Sequence, residues 1–156
     1  MNASNDRAMG LTVAVTGMLL AVAMLGACGE EASPEEQVRA TIARAEEGAE
    51  ARDLSAVMEL VADGYADTRG QDKQSVHALM HGFFVVNQSV HLLMRVEDVE
   101  FPSDGIAEAR VTVGMLGRQS QEDWSFAADV YELDVRFVRE DSDWLLQSAE
   151  WQRPGR

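Results

Sequence analysis

Before Gly82 the apolar residues recur at every third or fourth position, and from Val85 onward at every second. This change of period constrains the fold more than any other feature, because helices and half-buried strands need different spacings. A helical half therefore precedes a stranded half. In the second half Val90, Leu92, Met94 and Val96 share one side of a strand predicted from about Val85 to Glu100, with His91, Arg95 and Glu97 on the other. Val99 and Phe101 break that parity, which predicts a bulge near Glu97 and Asp98. Pro102 to Gly105 reads as a turn. Ala107, Ala109, Val111, Val113 and Met115 then alternate with Glu108, Arg110 and Thr112, and Tyr131, Leu133, Val135 and Phe137 alternate with Glu132, Asp134 and Arg136. Glu140 to Asp143 makes the last hairpin and Trp144 to Gln152 the closing strand. Each strand has one apolar and one charged side, as antiparallel strands covered on one face do.

The helical half is punctuated just as clearly. Ser33-Pro34-Glu35-Glu36 fits a capping box that opens a helix to about Ala51, with Val38, Ile42, Ala45 and Ala49 on one face. Asp53 caps a second helix bearing Leu54, Val57, Met58 and Val61, and Asp63-Gly64 stops it. Tyr65 and Asp67 follow in an extended segment before Gly70. A third, short helix from about Gln71 to His81 buries Val76, Leu79 and Met80.

Three helices followed by a one-faced antiparallel sheet must bury their stripes on its apolar side, an α+β architecture. The element order, with Asp63-Gly64-Tyr65-Ala66-Asp67 between the second and third helices and a closing Asp141-Ser142-Asp143-Trp144-Leu145-Leu146-Gln147-Ser148-Ala149-Glu150-Trp151, resembles the nuclear transport factor 2-like superfamily. That resemblance implies a cone of three helices on a curved four-stranded sheet over residues 34–153. It implies no single activity, since the superfamily includes isomerases, dehydratases, ligand binders and dimerisation modules.

Upstream of this body, a polar segment with Asp6 and Arg7 precedes an uncharged, mostly apolar stretch from Leu11 to Leu25. The stretch is shorter than the roughly 20 residues of a bilayer span, which fits a signal peptide better than a permanent anchor. It ends in Leu25-Gly26-Ala27-Cys28, which resembles the lipobox of bacterial lipoproteins. The chain has one cysteine, and a thioether to a diacylglycerol would remove the hazard of a lone thiol in an oxidising compartment. The resemblance implies a signal peptide over 1–27, acylation of Cys28 and a short tether over 28–33. Gly29, in place of an aspartate, implies delivery to the periplasmic face of an outer membrane.

Charge bounds the partners. Asp6 and Arg7 cancel, so cleavage before Cys28 leaves the formal charge of the whole chain, −14. Such a body repels nucleic acid and anionic head groups, and its membrane contact is expected through the lipid alone.

Candidate chemistry is sparse. The superfamily resemblance implies an interior acid or base with a tyrosine or histidine partner. Strand parity turns Asp129 and Tyr131 inward, with Tyr65 arriving from the segment after the second helix. Together they form a candidate cluster for a small ligand, or for proton transfer on a small carbonyl or steroid-like compound. The alternative is two tyrosines that pack their rings and hydrogen-bond their hydroxyls, beside a solvated Asp129. Trp124, Trp144 and Trp151 suit either stacking on a flat ligand or closing the ends of a small core. His77 and His81 lie one helical turn apart but lack the glutamate and third ligand of a zinc site, so no metal or cofactor is expected. The charged sheet face, with Arg95, Arg110, Asp134 and Arg136, fits cross-strand ion pairs on a solvated surface or a homodimer contact. A non-catalytic binder of a small apolar ligand or a protein partner is the reading preferred over an isomerase or dehydratase. Radiolabelled palmitate is expected to enter the protein, and Cys28→Ser to abolish its incorporation and leave the leader uncleaved.

Overall fold

The computed structural model describes residues 31–118 and 127–154. The expected signal peptide over 1–27, Cys28 and Trp124 lie outside the described residues. The element order is α1 (Pro34–Glu50), α2 (Leu54–Glu59), α3 (Lys73–Val86), then β1 (Ser89–Ser103), β2 (Ile106–Arg118), β3 (Ala127–Glu140) and β4 (Asp143–Gln152). The four strands form one antiparallel meander in the order β1-β2-β3-β4. This is the α+β arrangement the sequence predicts.

α1 opens on the predicted capping box. The Glu36 amide donates to the Ser33 hydroxyl at 3.3 Å, and the Glu36 carboxylate accepts from the Ser33 amide at 2.7 Å. Its inward face buries Val38, Thr41, Ile42 and Ala49. The chain leaves the helix through Arg52, a non-glycine residue at φ 56°. That left-handed backbone is costly for an L-residue. It turns the guanidinium back to donate to the carbonyls of Phe84 and Gln88, joining the ends of α1 and α3. Gly48 lets α2 approach closely, since a Cβ there would meet Val57 Cγ2 at 3.1 Å.

α2 begins where predicted, with the Asp53 carboxylate accepting from Ala56 N–H at 3.0 Å. It ends at Leu60, before Asp63-Gly64. The reason is tertiary: the next residues pair with β4. Leu146 N–H donates to Leu60 O at 2.8 Å, Ala62 N–H to Leu146 O at 3.0 Å, and Ala66 N–H to Gln147 O at 3.1 Å. α3 starts at its Asp72 cap but runs past the predicted end at His81. Gly82 lies inside it, and β1 starts at Ser89 instead of Val85. An interior glycine costs a helix about 1 kcal/mol, which burial of the Phe84 ring two residues on outweighs. Asn87 ends the helix by donating its side-chain amide to Phe83 O at 2.9 Å.

The strand pairings shift between Val96 and Asp98, placing the predicted bulge at Glu97. A shift in the β3–β4 pairing opposite Arg136 and Phe137 leaves Gln147 as the extra residue of β4. Bulges bend their strands, and both lie beside the apolar face. That face supplies Ala107, Ala109, Val111, Val113, Val135, Phe137, Trp144 and Ala149 to one core with Val38 and Ile42. Trp144 closes one end of it, meeting Phe101 edge-on at 5.8 Å. The opposite face is charged, and its charges meet within the chain: Arg110 bridges to Asp134 at 3.2 Å, and Arg136 to Glu108. Phe137→Ala should lower the unfolding free energy by about 3–5 kcal/mol in urea titrations. Leu93→Ala, on the outer face at 74% exposure, should change it by less than about 0.5 kcal/mol.

Candidate functional site

The core is not filled. Small and branched side chains on facing elements, Ala45 from α1, Val57 from α2, Val76 from α3 and Val111, Val113 and Leu133 from the sheet, line a cavity of about 190 Å³. Among the described residues its polar lining is limited to Thr41, Tyr65, Gln71 and the Trp151 indole, with no Asp, Glu, His, Lys or Arg. The Thr41 hydroxyl donates back to Gln37 O at 3.2 Å. Tyr65 is 4% exposed, and its hydroxyl donates to Asp67 Oδ2 at a long 3.5 Å. Burial foremost, and then the neighbouring Asp67 carboxylate, raise its pKa above the ordinary 10.0, while the Ala149 N–H and Arg69 oppose the rise. At neutral pH Tyr65 is therefore a hydrogen-bond donor and not a base.

A vestibule of about 630 Å³ shares Gln71, Leu79, Met80 and Trp151 with this cavity and adds Phe83, Met115, Tyr131, Arg69 and Arg153. Tyr131 meets Trp151 edge-on at 6.0 Å. The Arg153 guanidinium lies 5.7 Å from the Tyr131 ring and donates to its hydroxyl at 3.4 Å. Tyr65 and Tyr131 thus line different chambers. Asp129 sits opposite Met115 in the β2–β3 ladder, and its side chain, like Trp124, lies outside the described residues. Asp67 folds its own loop, with one carboxylate oxygen accepting from the amides of Arg69 and Gln71, each at 2.9 Å.

Sequence reasoning did not assign Gln71 to the site, because a single glutamine ahead of a helix carries no pattern. Arg69 and Arg153 were equally silent, the first in a turn and the second beyond the last strand. His77, His81 and His91 are exposed. Among the described residues no group of three His, Cys, Asp or Glu side chains converges as a metal site would.

No protein-family model and no curated protein sequence matches the chain. Solved structures do. A candidate scytalone dehydratase from Novosphingobium aromaticivorans superposes with a TM-score of 0.68 at 11% identity, over 75% of this chain and 81% of that one. A candidate dehydratase of the nuclear transport factor 2-like family from Streptomyces avermitilis gives 0.64 at 14% identity, over 76% and 94%. The domain has the nuclear transport factor 2-like fold. A type 2 hexachlorocyclohexane dehydrochlorinase is similar at the same level, with a TM-score of 0.64 and 11% identity over 76% of this chain and 83% of that one. At such identities the likeness is one of backbone, and the nuclear transport factor 2-like fold carries many chemistries.

The raised Tyr65 pKa has a measurable consequence. The stabilisation from holding this phenol neutral is fully present below the unfolded-state value of about 10, and is lost as pH rises through the folded value. In an alkaline ultraviolet titration part of the phenolate absorbance should appear above the ordinary tyrosine range, and Tyr65→Phe should remove that delayed part.

Proposed function

We propose that the domain is a membrane-tethered binder of a small apolar ligand, held outside the cytosol by the lipid on Cys28. The observation that carries this reading is the interior cavity, whose lining is almost wholly hydrocarbon and holds no acid or base among the described residues. An apolar cavity of about 150 Å³ stays dry and takes up a benzene-sized guest; this one is larger and continues into a vestibule. Binding there needs no chemistry from the walls. The tether reading rests on the lipobox-like Leu25-Gly26-Ala27-Cys28 and on the surface charge, which leaves the lipid as the route to a bilayer.

The dehydratase and dehydrochlorinase neighbours favour a second reading, an enzyme of elimination or isomerisation on a small carbonyl or steroid-like compound. In it Tyr65 donates to a substrate oxygen, Asp129 supplies the base, and Tyr131 flanks the entrance.

Phenylnaphthylamine, a neutral probe whose fluorescence rises on leaving water, tests the binding reading. The wild-type domain should bind it. Ala45→Phe fills the cavity at a stability cost of about 1–3 kcal/mol and should weaken binding by about tenfold or more. An unbound probe, or equal binding by a variant whose circular dichroism shows it folded, would overturn the reading.

A further inference from the structure

We infer that the occupant carries one neutral hydroxyl on a single-ring hydrocarbon body, and that the carboxamide of Gln71, at the boundary of the two chambers, is the group that selects it. This deepens the proposed function and rests on it. The polar side chains described in the inner cavity are not equivalent. The Thr41 hydroxyl donates to Gln37 O, and the Tyr65 hydroxyl lies between Asp67 and the Ala149 N–H. The Trp151 indole can only donate. Gln71 is half-buried and lines both chambers. Its hydrogen bonds within the described residues are those of its backbone, which turns to Asp67. The carboxamide is thus left as its open polar group.

That backbone is held on both sides. Gln71 N–H donates to the Asp67 carboxylate at 2.9 Å, Gln71 O accepts from Asp67 N–H at 3.2 Å, and Ala66 pairs with Asp72 across the turn. Gly70, at φ 75°, supplies the left-handed backbone of this turn. Asp72 then caps α3 by accepting from Ser75 N–H at 2.8 Å. A side chain presented from a backbone fixed in this way has less freedom to lose on binding. A carboxamide offers a donor and an acceptor side by side, and a hydroxyl, which both accepts and donates, satisfies the pair. A ketone or an ether would use the donor alone. A hydrocarbon would strip water from the amide and return nothing. The inner cavity has no charged side chain among its described residues, so the part of the ligand beyond Gln71 is neutral. The cavity's volume of about 190 Å³ exceeds the roughly 150 Å³ that holds benzene, which leaves room for one ring with a short alkyl substituent.

The compact unit Ala32–Arg156 contains both clusters of buried apolar residues, so it serves for the test. Propylbenzene and para-propylphenol share a body and differ by one hydroxyl, which is uncharged at neutral pH. Calorimetry with the protein as titrant gives both affinities. Gln71→Leu should weaken para-propylphenol by about fivefold or more and change propylbenzene by less than about twofold, the retained hydrocarbon binding showing that the cavity is intact. In proton–nitrogen correlation spectra of the wild type, the Gln71 side-chain amide signals should move on adding para-propylphenol and stay near their place with propylbenzene. If Gln71→Leu leaves para-propylphenol unchanged, or weakens both compounds alike while the wild-type amide signals stay still, the hydroxyl assignment fails and the apolar-ligand reading stands. If neither compound binds the wild type, both fail.

Discussion

The seating of α1 across the inner face of the sheet, chiefly along β1, is the contact on which the rest of this domain depends. Val38 and Ala107 are each fully buried there, and full burial of a valine side chain contributes about 1.5–3 kcal/mol. The helix lies closest to the edge strand β1, and this approach brings its polar flank to that strand. Glu50 and Glu46 accept from the β1 amides of Leu92 and Met94 at 2.9 and 3.0 Å, while Arg39 donates to Val96 O at 3.4 Å. Unpaired strand edges invite intermolecular pairing. Here one edge is capped by helix side chains and part of the other by the backbone of residues 60–66. The same helix supplies the core and closes the sheet.

That arrangement also explains the cavity. Past Ile42 the facing residues shrink to Ala45, and α3 contributes Val76, Leu79 and Met80 from the other side without filling the gap. A protein interior is normally packed to crystalline density, so a space of this size costs stability and marks a place where a ligand can supply the missing contacts. The polar groups are kept at its margins. Tyr65 is anchored to Asp67 and Ala149, and among the described residues the charged side chains begin in the vestibule.

The outer face has a simpler logic. Arg110 with Asp134 and Arg136 with Glu108 join neighbouring strands. Exposed pairs of this kind each contribute at most about 1 kcal/mol. Their larger effect is on register, because Glu100 lies directly opposite Glu108 in the β1–β2 ladder and that like-charge contact is relieved by the Arg136 bridge. A slip of one residue would turn every one of these charges into the core.

The elements with a repeating signal were legible in the sequence. The Ser33–Glu36 box, the Asp53 cap, the alternation through Val111 and Phe137 and the parity break at Glu97 are each set by residues close in the chain, so local sterics and hydrogen bonding decide them. The ends of α2 and α3 were not, because Leu60 is drawn to Leu146 and Phe84 to Ala49, partners far away in sequence. The site divides the same way. Tyr65 was singled out in the sequence because its short segment between two helices is recognisable, and strand parity gave Tyr131 its face. Their separation into two chambers, the empty space behind Ala45, and the convergence of Arg69, Gln71 and Arg153 at its entrance depend on how helices and sheet stack. Periodicity reports which side of an element is apolar, but not how closely two such sides approach, and the cavity is set by that distance.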